Sequence, residues 1–419
     1  MLNYKLKTLA NGLRLVSAPL DSTEAITILI LVGTGGRFET KEQSGISHFL
    51  EHLFFKGSKK YPSTFEIASV LESIGADYNA FTGEEETGFY VQSSASDFPK
   101  AFDVISDMFL NPVFDPKKLE KERGVILQEA SMYRDTPQAH VQNLNQQQLF
   151  SDQPLGMDLI GTTENIKSIN IEQIKKYRET QYSGKNTIVV VCGKDADKYE
   201  KMVEQRFSNV RSGQKNTFKP YTDTIKPKSY NWEKREVDQT HFVLSFLSCA
   251  KSDPKKFPLA ILNTLLGSGM SSRLSIEIRE KRGLAYYIYS NLSQYFDVGS
   301  FVISGGVKPD MLDKSLEIIN IEIDDLKKNG PSASELERAK GNLRGQLALS
   351  LEQSFKIASY IADNLYYYQE IKDIRDTIEK INRVTAEEVK SLAQEIFDPS
   401  KKALSVIGQG NAKVKTKDV

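Results

Sequence analysis

Two histidines and a glutamate near residue 50 have the residue types and the spacing that metal chemistry requires. His48 and His52 are four residues apart, so in a helix both imidazoles lie on one face. Apolar residues recur around them at three- and four-residue steps, which predicts such a helix. Neutral imidazoles bind divalent metals, and zinc is the usual choice. Glu51 lies beside them, where an unbound carboxylate could accept a proton from a metal-activated water.

The alternative interpretation is an ordinary helix with two half-buried histidines and a surface glutamate. A pattern of three fixed residues occurs by chance, but the chain has only four histidines in 419 residues and two of them are here. The order His-x-x-Glu-His is the inverted form of a common zinc protease signature. Because a catalytic zinc takes three protein ligands and keeps one position open, a third ligand would favour the metal site.

A predicted helix from Pro116 to Tyr133 offers candidates for the third ligand. It carries Glu120, Glu122 and Glu129. Glu122 and Glu129 are two helical turns apart and therefore share one face. Spacing alone leaves the choice between these two carboxylates open.

The elements that must position these residues occur twice along the chain. Their landmarks keep the same order in both halves at offsets of 208 to 217 residues, which indicates an internal repeat. The matching segments are strands 25–32 and 241–248, the histidine segment and helix 256–266, Leu119–Gly124 and Leu336–Gly341, and closing strands 186–193 and 402–408.

This repeat predicts an α/β (α+β) protein with two tandem homologous domains. Each domain is expected to be a mixed, largely antiparallel sheet packed with helices. The N-terminal domain spans residues 1–215 and holds the zinc-site candidates, and the C-terminal domain spans residues 232–419. The polar stretch 216–231, which contains proline, is the predicted linker.

The second copy of the repeat also serves as an internal control. The three positions of the His-x-x-Glu-His pattern hold Ala260, Asn263 and Thr264 there, and the two glutamate positions hold Ala339 and Gln346. A scaffold that needed these side chains only for packing would be expected to keep some of them. Their joint absence links the two helices of the first half to one chemical site.

The chain resembles the pitrilysin/insulinase (M16) family of zinc metallopeptidases over essentially its full length. It is most similar to the two-domain branch that includes mitochondrial processing peptidase and bacterial processing proteases. The residues that carry the resemblance are His48-Phe-Leu-Glu-His52, Glu129 at the family's spacing, Asn79-Ala-Phe-Thr82, and Arg279-Glu-Lys-Arg-Gly-Leu-Ala-Tyr286.

The resemblance implies a role for each matching residue of the first domain. His48, His52 and Glu129 would bind one Zn²⁺ per chain, and Glu51 would be the general base. Glu122 would support a ligand without binding the metal itself.

The resemblance also implies contacts with the substrate. Asn79, Ala80 and Phe81 would lie in an edge strand that pairs with it. Arg279 and Tyr286 of the second domain would hold the developing oxyanion or the substrate backbone. The alternatives are a solvated surface charge for Arg279 and an ordinary edge strand for 79–81.

The expected activity is that of a zinc metalloendopeptidase that cleaves unstructured peptides or processes precursors. In the family, four such domains enclose a chamber and one chain supplies two, so a dimer is expected. A homodimer is favoured over a heterodimer because one chain carries both the zinc helix and the Arg279–Tyr286 segment.

Two rival functions stay open at this point. One is a non-catalytic scaffold or peptide-binding subunit, against which the intact Glu51 argues. The other is a structural zinc protein, which would close its fourth coordination position with another Cys or His.

Composition excludes several other classes of protein. Lys and Arg together number 55, and so do Asp and Glu, so bulk charge predicts neither a nucleic-acid partner nor an anionic membrane partner. No apolar run is long enough to predict a membrane span. The chain opens without a signal-peptide or transit-peptide pattern, so a cytoplasmic location is expected.

Overall fold

The computed structural model describes residues 2–222 and 230–409, so part of the predicted linker, residues 223–229, lies outside the described residues. Within these ranges the strands form two sheets. The first sheet contains β1 (Lys5–Thr8), β2 (Arg14–Pro19), β3 (Ala25–Val32), β4 (Asp77–Thr82), β5 (Thr87–Ser94) and β6 (Thr187–Gly193). The second contains β7 (Tyr230–Lys234), β8 (Thr240–Ser248), β9 (Ala285–Gln294), β10 (Gly299–Val307) and β11 (Lys402–Gly408).

Helices account for most of the remaining described residues. No helix found there is long and apolar enough to cross a membrane. The α-helices are α1 (Ile46–Phe54), α2 (Thr64–Ser73), α3 (Phe98–Leu110), α4 (Pro116–Asp135), α5 (Pro137–Phe150), α6 (Thr163–Ser168), α7 (Ile171–Gln181), α8 (Glu200–Phe207), α9 (Lys256–Leu266), α10 (Leu312–Asn329), α11 (Ala333–Ser350), α12 (Ser354–Tyr368), α13 (Ile374–Arg383) and α14 (Ala386–Ile396).

The first sheet is mixed, with the strand order β1-β2-β6-β3-β5-β4. β2 and β6 pair in parallel, and the other neighbours pair antiparallel. β3 is rich in isoleucine, which favours a strand. It is apolar on both faces because the hydrophobic core covers one face and α12 packs on the other. β4 is an edge strand, and β5 is its one strand neighbour among the described residues.

The second sheet repeats this topology. Its order, β7-β11-β8-β10-β9, corresponds to β2-β6-β3-β5-β4. β7 and β11 pair in parallel, and the other neighbours pair antiparallel. The predicted fold class, a mixed and largely antiparallel sheet with helices in each half, is therefore confirmed.

The chain divides into two compact units. Each unit consists mainly of one half of the sequence and includes one segment from the other half. α5, from the N-terminal half, packs on β8 and β11 of the second sheet, whereas α12, from the C-terminal half, packs on β3 and β6 of the first. The boundaries predicted at 215 and 232 describe the repeat and stay a prediction. The units comprise Met1–Ala130 with Met157–Lys219 and Leu349–Asp373, and Ser131–Gly156 with Pro220–Ala348 and Ile374–Val419.

The core of the first unit anchors α1 to the sheet. Ile28 and Ile30 of β3 belong to the same buried apolar cluster as Phe49, Leu50 and Leu53 of α1. Each such side chain contributes about 1.5–3 kcal/mol when it is fully removed from water. α1 is therefore a rigid platform for the side chains on its other face.

Candidate metal centre

The helix that carries His48, Glu51 and His52 begins at a backbone position that requires glycine. Gly45 has φ of 94°, in the left-handed region, and a Cβ atom there would lie 2.2 Å from the carbonyl oxygen of Ile160. Glycine meets both demands without strain or collision.

Glu39 satisfies the first free N–H groups of α1 in place of a neighbouring cap. Its Oε2 accepts a hydrogen bond from the Gly45 N–H, and its Oε1 accepts one from the Ser47 N–H, each at 2.7 Å. The side chain is almost fully buried, and burial raises the pKa of Glu39 to about 7 although these hydrogen bonds oppose the rise. A carboxylate at a helix N-terminus also complements the helix dipole.

The structure brings the three predicted metal ligands together. His48 Nε2 lies 3.7 Å and His52 Nε2 lies 3.5 Å from Glu129 Oε2 on α4. In a tetrahedral zinc site with bonds of about 2.0–2.2 Å, donor atoms are separated by roughly 3.4 Å. Burial, and then the proximity of His52, lowers the pKa of His48 to about 4, which keeps this imidazole neutral and able to bind metal. The donor set therefore fits zinc.

Among the described residues, these three form the one group of His, Cys, Asp and Glu side chains suited to a metal. In the second unit, Asn263 Oδ1 instead accepts a hydrogen bond from Ser290 at 2.7 Å, and Thr264 donates to the carbonyl of Ala260 at 2.9 Å. The second copy of the scaffold thus uses these positions for local hydrogen bonds. His140 and His241 bond to Glu233 and Tyr287, respectively.

Glu122 contacts a predicted ligand and does not join the ligand group. Its Oε1 lies 2.8 Å from Nδ1 of His52, and its Oε2 lies 2.8 Å from Nζ of Lys56. This arrangement holds His52 in the tautomer with the proton on Nδ1, which leaves Nε2 free to bind metal. Lys56 was not predicted, although it lies four residues after His52 and so continues the same helical face.

A residue of the first sheet forms a hydrogen bond with the Glu51 carboxylate. Thr82, the last residue of β4, donates a hydrogen bond from Oγ1 to Glu51 Oε2. Burial raises the pKa of the half-buried Glu51 carboxyl, against the lowering effects of Thr82 and His52. A carboxyl with a raised pKa is a stronger base once it is ionised.

The predicted substrate strand coincides with β4. Asn79, Ala80 and Phe81 lie in its middle and pair with Tyr90, Phe89 and Gly88 of β5. The Ala80 N–H bonds to the side chain of its neighbour Asn79 at 2.9 Å, at an exposed position. A strand edge of this kind offers backbone groups to an added chain.

A buried ion pair fixes the turn between β4 and β5. The guanidinium of Arg37 lies 2.5 Å from the carboxylate of Glu85, and both side chains are 1% exposed. The Arg37 N–H donates to the Glu84 carbonyl at 2.7 Å, and Tyr366 Oη donates to the Glu85 carbonyl at 2.6 Å. The end of β4, and with it Thr82, is held in place.

The predicted Arg279 and Tyr286 lie in the second unit. Arg279 is in a π-helical turn, Ser275–Glu280, and its side chain is half exposed and 3.8 Å from Glu280. Tyr286 lies near the start of β9 and is 58% exposed. π-helical turns are rare and occur often at functional sites. The roles of both residues stay a prediction.

Comparison with known proteins identifies the family. A model described as insulinase, peptidase family M16, matches residues 14–163, and one described as peptidase M16 inactive domain matches residues 168–343. An uncharacterised zinc protease from Bacillus subtilis is 35% identical over 93% of this chain and 95% of its own length. Another, from Streptomyces coelicolor, is 32% identical over 96% of this chain and 88% of its own.

Solved structures agree on the fold. A protease from Helicobacter pylori superposes with a TM-score of 0.90 at 24% identity, over 97% of this chain and all of the other. A peptidase M16 inactive domain from Pseudomonas fluorescens gives 0.90 at 20% identity, over 98% of this chain and 99% of the other. The part matched by the inactive-domain model, residues 168–343, contains none of the three candidate ligands, which all lie before it. From the sequence similarity along its whole length, the chain belongs to the M16 (insulinase) family of peptidases.

Proposed function

We propose that this protein is a zinc-dependent endopeptidase that cleaves extended, unstructured polypeptides. The observation that carries the proposal is the convergence of His48, His52 and Glu129 on one point beside the Thr82-bound Glu51. A structural metal site needs neither an open coordination position nor a base, and this site has three candidate ligands and a base.

The three ligands would hold Zn²⁺, and Glu122, itself paired with Lys56, supports His52 from outside. When bound, zinc supplies a Lewis acid that polarises the scissile carbonyl and makes water more acidic. Glu51 accepts the proton that water loses on attacking the carbonyl carbon, and then delivers it to the leaving amine nitrogen.

The substrate would bind as an added strand along β4. Backbone hydrogen bonds to an edge strand recognise any extended chain, and side-chain pockets then provide preference. A folded protein cannot present such a strand without local unfolding, so the proposed substrates are peptides or unfolded segments.

Arg279 and Tyr286 would hold the substrate carbonyl as negative charge develops on its oxygen. Their exposure leaves both side chains accessible to a ligand. We infer that two copies of the chain form a homodimer around a closed chamber, in which these residues act across the interface. A monomer in solution, measured by light scattering at micromolar concentration, would overturn the dimer.

Cleavage of an unstructured peptide of about 20–30 residues tests the proposal. Purified protein should cleave the peptide, lose activity in a chelator, and regain it on zinc add-back, while a tightly folded protein of similar size should resist. Absence of cleavage by zinc-loaded protein over a broad set of peptides would contradict the proposal. It would favour a non-catalytic, peptide-binding subunit, especially if the same peptides bind.

A further inference from the structure

We propose that Thr82 is a positioning residue that orients the general base, so that the strand that binds the substrate also sets the geometry of proton transfer. This inference rests on the proposed function and extends it to a residue outside the metal site. The contact that carries it is the hydrogen bond from Thr82 Oγ1 to Glu51 Oε2.

The bond joins two elements that are each held rigidly. Glu51 lies on α1, whose other face is buried in the core and whose first turn is capped by Glu39. Thr82 ends β4 and pairs directly with Thr87 of β5, next to the turn that the Arg37–Glu85 pair fixes. The hydroxyl is therefore placed before any substrate arrives, which costs no reorganisation during the reaction.

Thr82 is the one side chain that hydrogen-bonds to Glu51 among the described residues. A glutamate has three side-chain torsions, so a half-buried carboxylate without a partner could take several orientations. Fixing Oε2 through Thr82 leaves Oε1 as the oxygen available for the proton. Misplacing a reacting group by about 1 Å can cost roughly 100-fold in rate.

The alternation of side chains explains why a residue of the substrate strand can reach the base. Tyr78 and Ala80 pack against the core on the side of α1, and Thr82 follows at the same two-residue period. By the same alternation, Asn79 and Phe81 belong to the opposite face of the strand. Thr82 thus lies on the α1 side while its backbone belongs to the edge strand.

The test compares Thr82→Val, Thr82→Ser and, as a matched control, Thr87→Val. Valine keeps the β-branched shape and removes the donor, and serine restores a hydroxyl. Thr87 is the cross-strand partner of Thr82, and its hydroxyl bonds to the Thr34 carbonyl at 2.9 Å, not to Glu51. Thr87→Val therefore reports the effect of losing a hydroxyl from the same hairpin.

We expect Thr82→Val to lower kcat by roughly 10–100-fold with KM changed less than about threefold. Thr82→Ser should recover most of kcat, and Thr87→Val should stay within about threefold of wild type. Two measurements do not depend on turnover: zinc content, and the affinity of chelator-treated protein for a fluorescent peptide. Both should match wild type in Thr82→Val.

Two results would overturn the inference while wild type remains an active peptidase. One is a kcat of Thr82→Val equal to that of wild type. The other is an equal loss in Thr82→Val and Thr87→Val, which would show a general effect on the hairpin. If wild type itself cleaves no peptide, the proposed function fails first, so the two failures are distinguishable.

Discussion

Glu122 Oε1 lies 2.8 Å from His52 Nδ1. The buried Glu122 carboxylate therefore fixes the orientation of a candidate metal ligand without being a candidate ligand itself. His52 lies on α1 and Glu122 on α4, the same two helices that supply the candidate ligands. The contact therefore aligns the helices as well as the imidazole ring.

Replacing Glu122 with Gln should weaken zinc binding by about 10–100-fold, because the amide holds the His52 ring less firmly than the carboxylate does. Competition with a chromophoric chelator measures the affinity. Glu120→Gln is the matched control, since Glu120 is exposed on the same helix and, within the described part of the chain, pairs with Arg123 and not with a candidate ligand. Equal affinities for both variants would show that Glu122 does not support the site.

Much of this site could be predicted from the sequence because its residues lie at helical spacing. Strands 25–32 and 402–408 and helix 256–266 were also predicted with the bounds observed, because their apolar patterns and breakers are local. The choice of Glu129 over Glu122 depended on the family resemblance, and the structure separates their positions: Glu129 points to both Nε2 atoms, and Glu122 to one Nδ1.

The contacts that spacing could not predict are tertiary. Glu39 reaches α1 across a turn, and Thr82 reaches Glu51 from another element, so no periodicity marks either. Spacing also could not predict that α5 of the N-terminal half packs on the second sheet and α12 of the C-terminal half on the first, since an amphipathic helix does not specify which sheet it covers.

Replacing Arg37 with Met should destabilise the first unit by about 3–5 kcal/mol, because the buried Glu85 then loses its ion pair with Arg37. Urea unfolding followed by circular dichroism measures the loss of stability. The double variant Arg37→Met/Glu85→Gln should lose less stability than Arg37→Met alone. If the double variant instead loses as much stability as Arg37→Met and Glu85→Gln together, the two residues do not act as an ion pair.

The buried Glu39 should make stability depend on pH. Its pKa is about 7 in the folded protein and near 4.5 when unfolded, so the folded state binds the proton more tightly. The stability that this proton contributes is present below about pH 4.5 and is lost as the pH rises towards 7, by about 3 kcal/mol. The unfolding free energy of wild type minus that of Glu39→Gln should fall by about 3 kcal/mol between pH 4.5 and pH 8. A constant difference would contradict a titrating Glu39.

Subunit mixing tests whether the proposed dimer shares its sites. Glu51→Gln and Tyr286→Phe should each be nearly inactive alone. If Tyr286 serves the metal site of the other chain, a purified heterodimer of the two variants has one intact site and about half of the wild-type activity. An inactive heterodimer would place Tyr286 at the site of its own chain.

The most direct test of the central claim is peptide cleavage by Glu51→Gln with its zinc content measured on the same sample. The substitution removes the base and leaves His48, His52 and Glu129 unchanged. We predict one zinc per chain, as in wild type, and a loss of cleavage of at least about 100-fold. Cleavage at the wild-type rate by zinc-loaded Glu51→Gln would contradict the assignment of Glu51 as the base and the mechanism built on it.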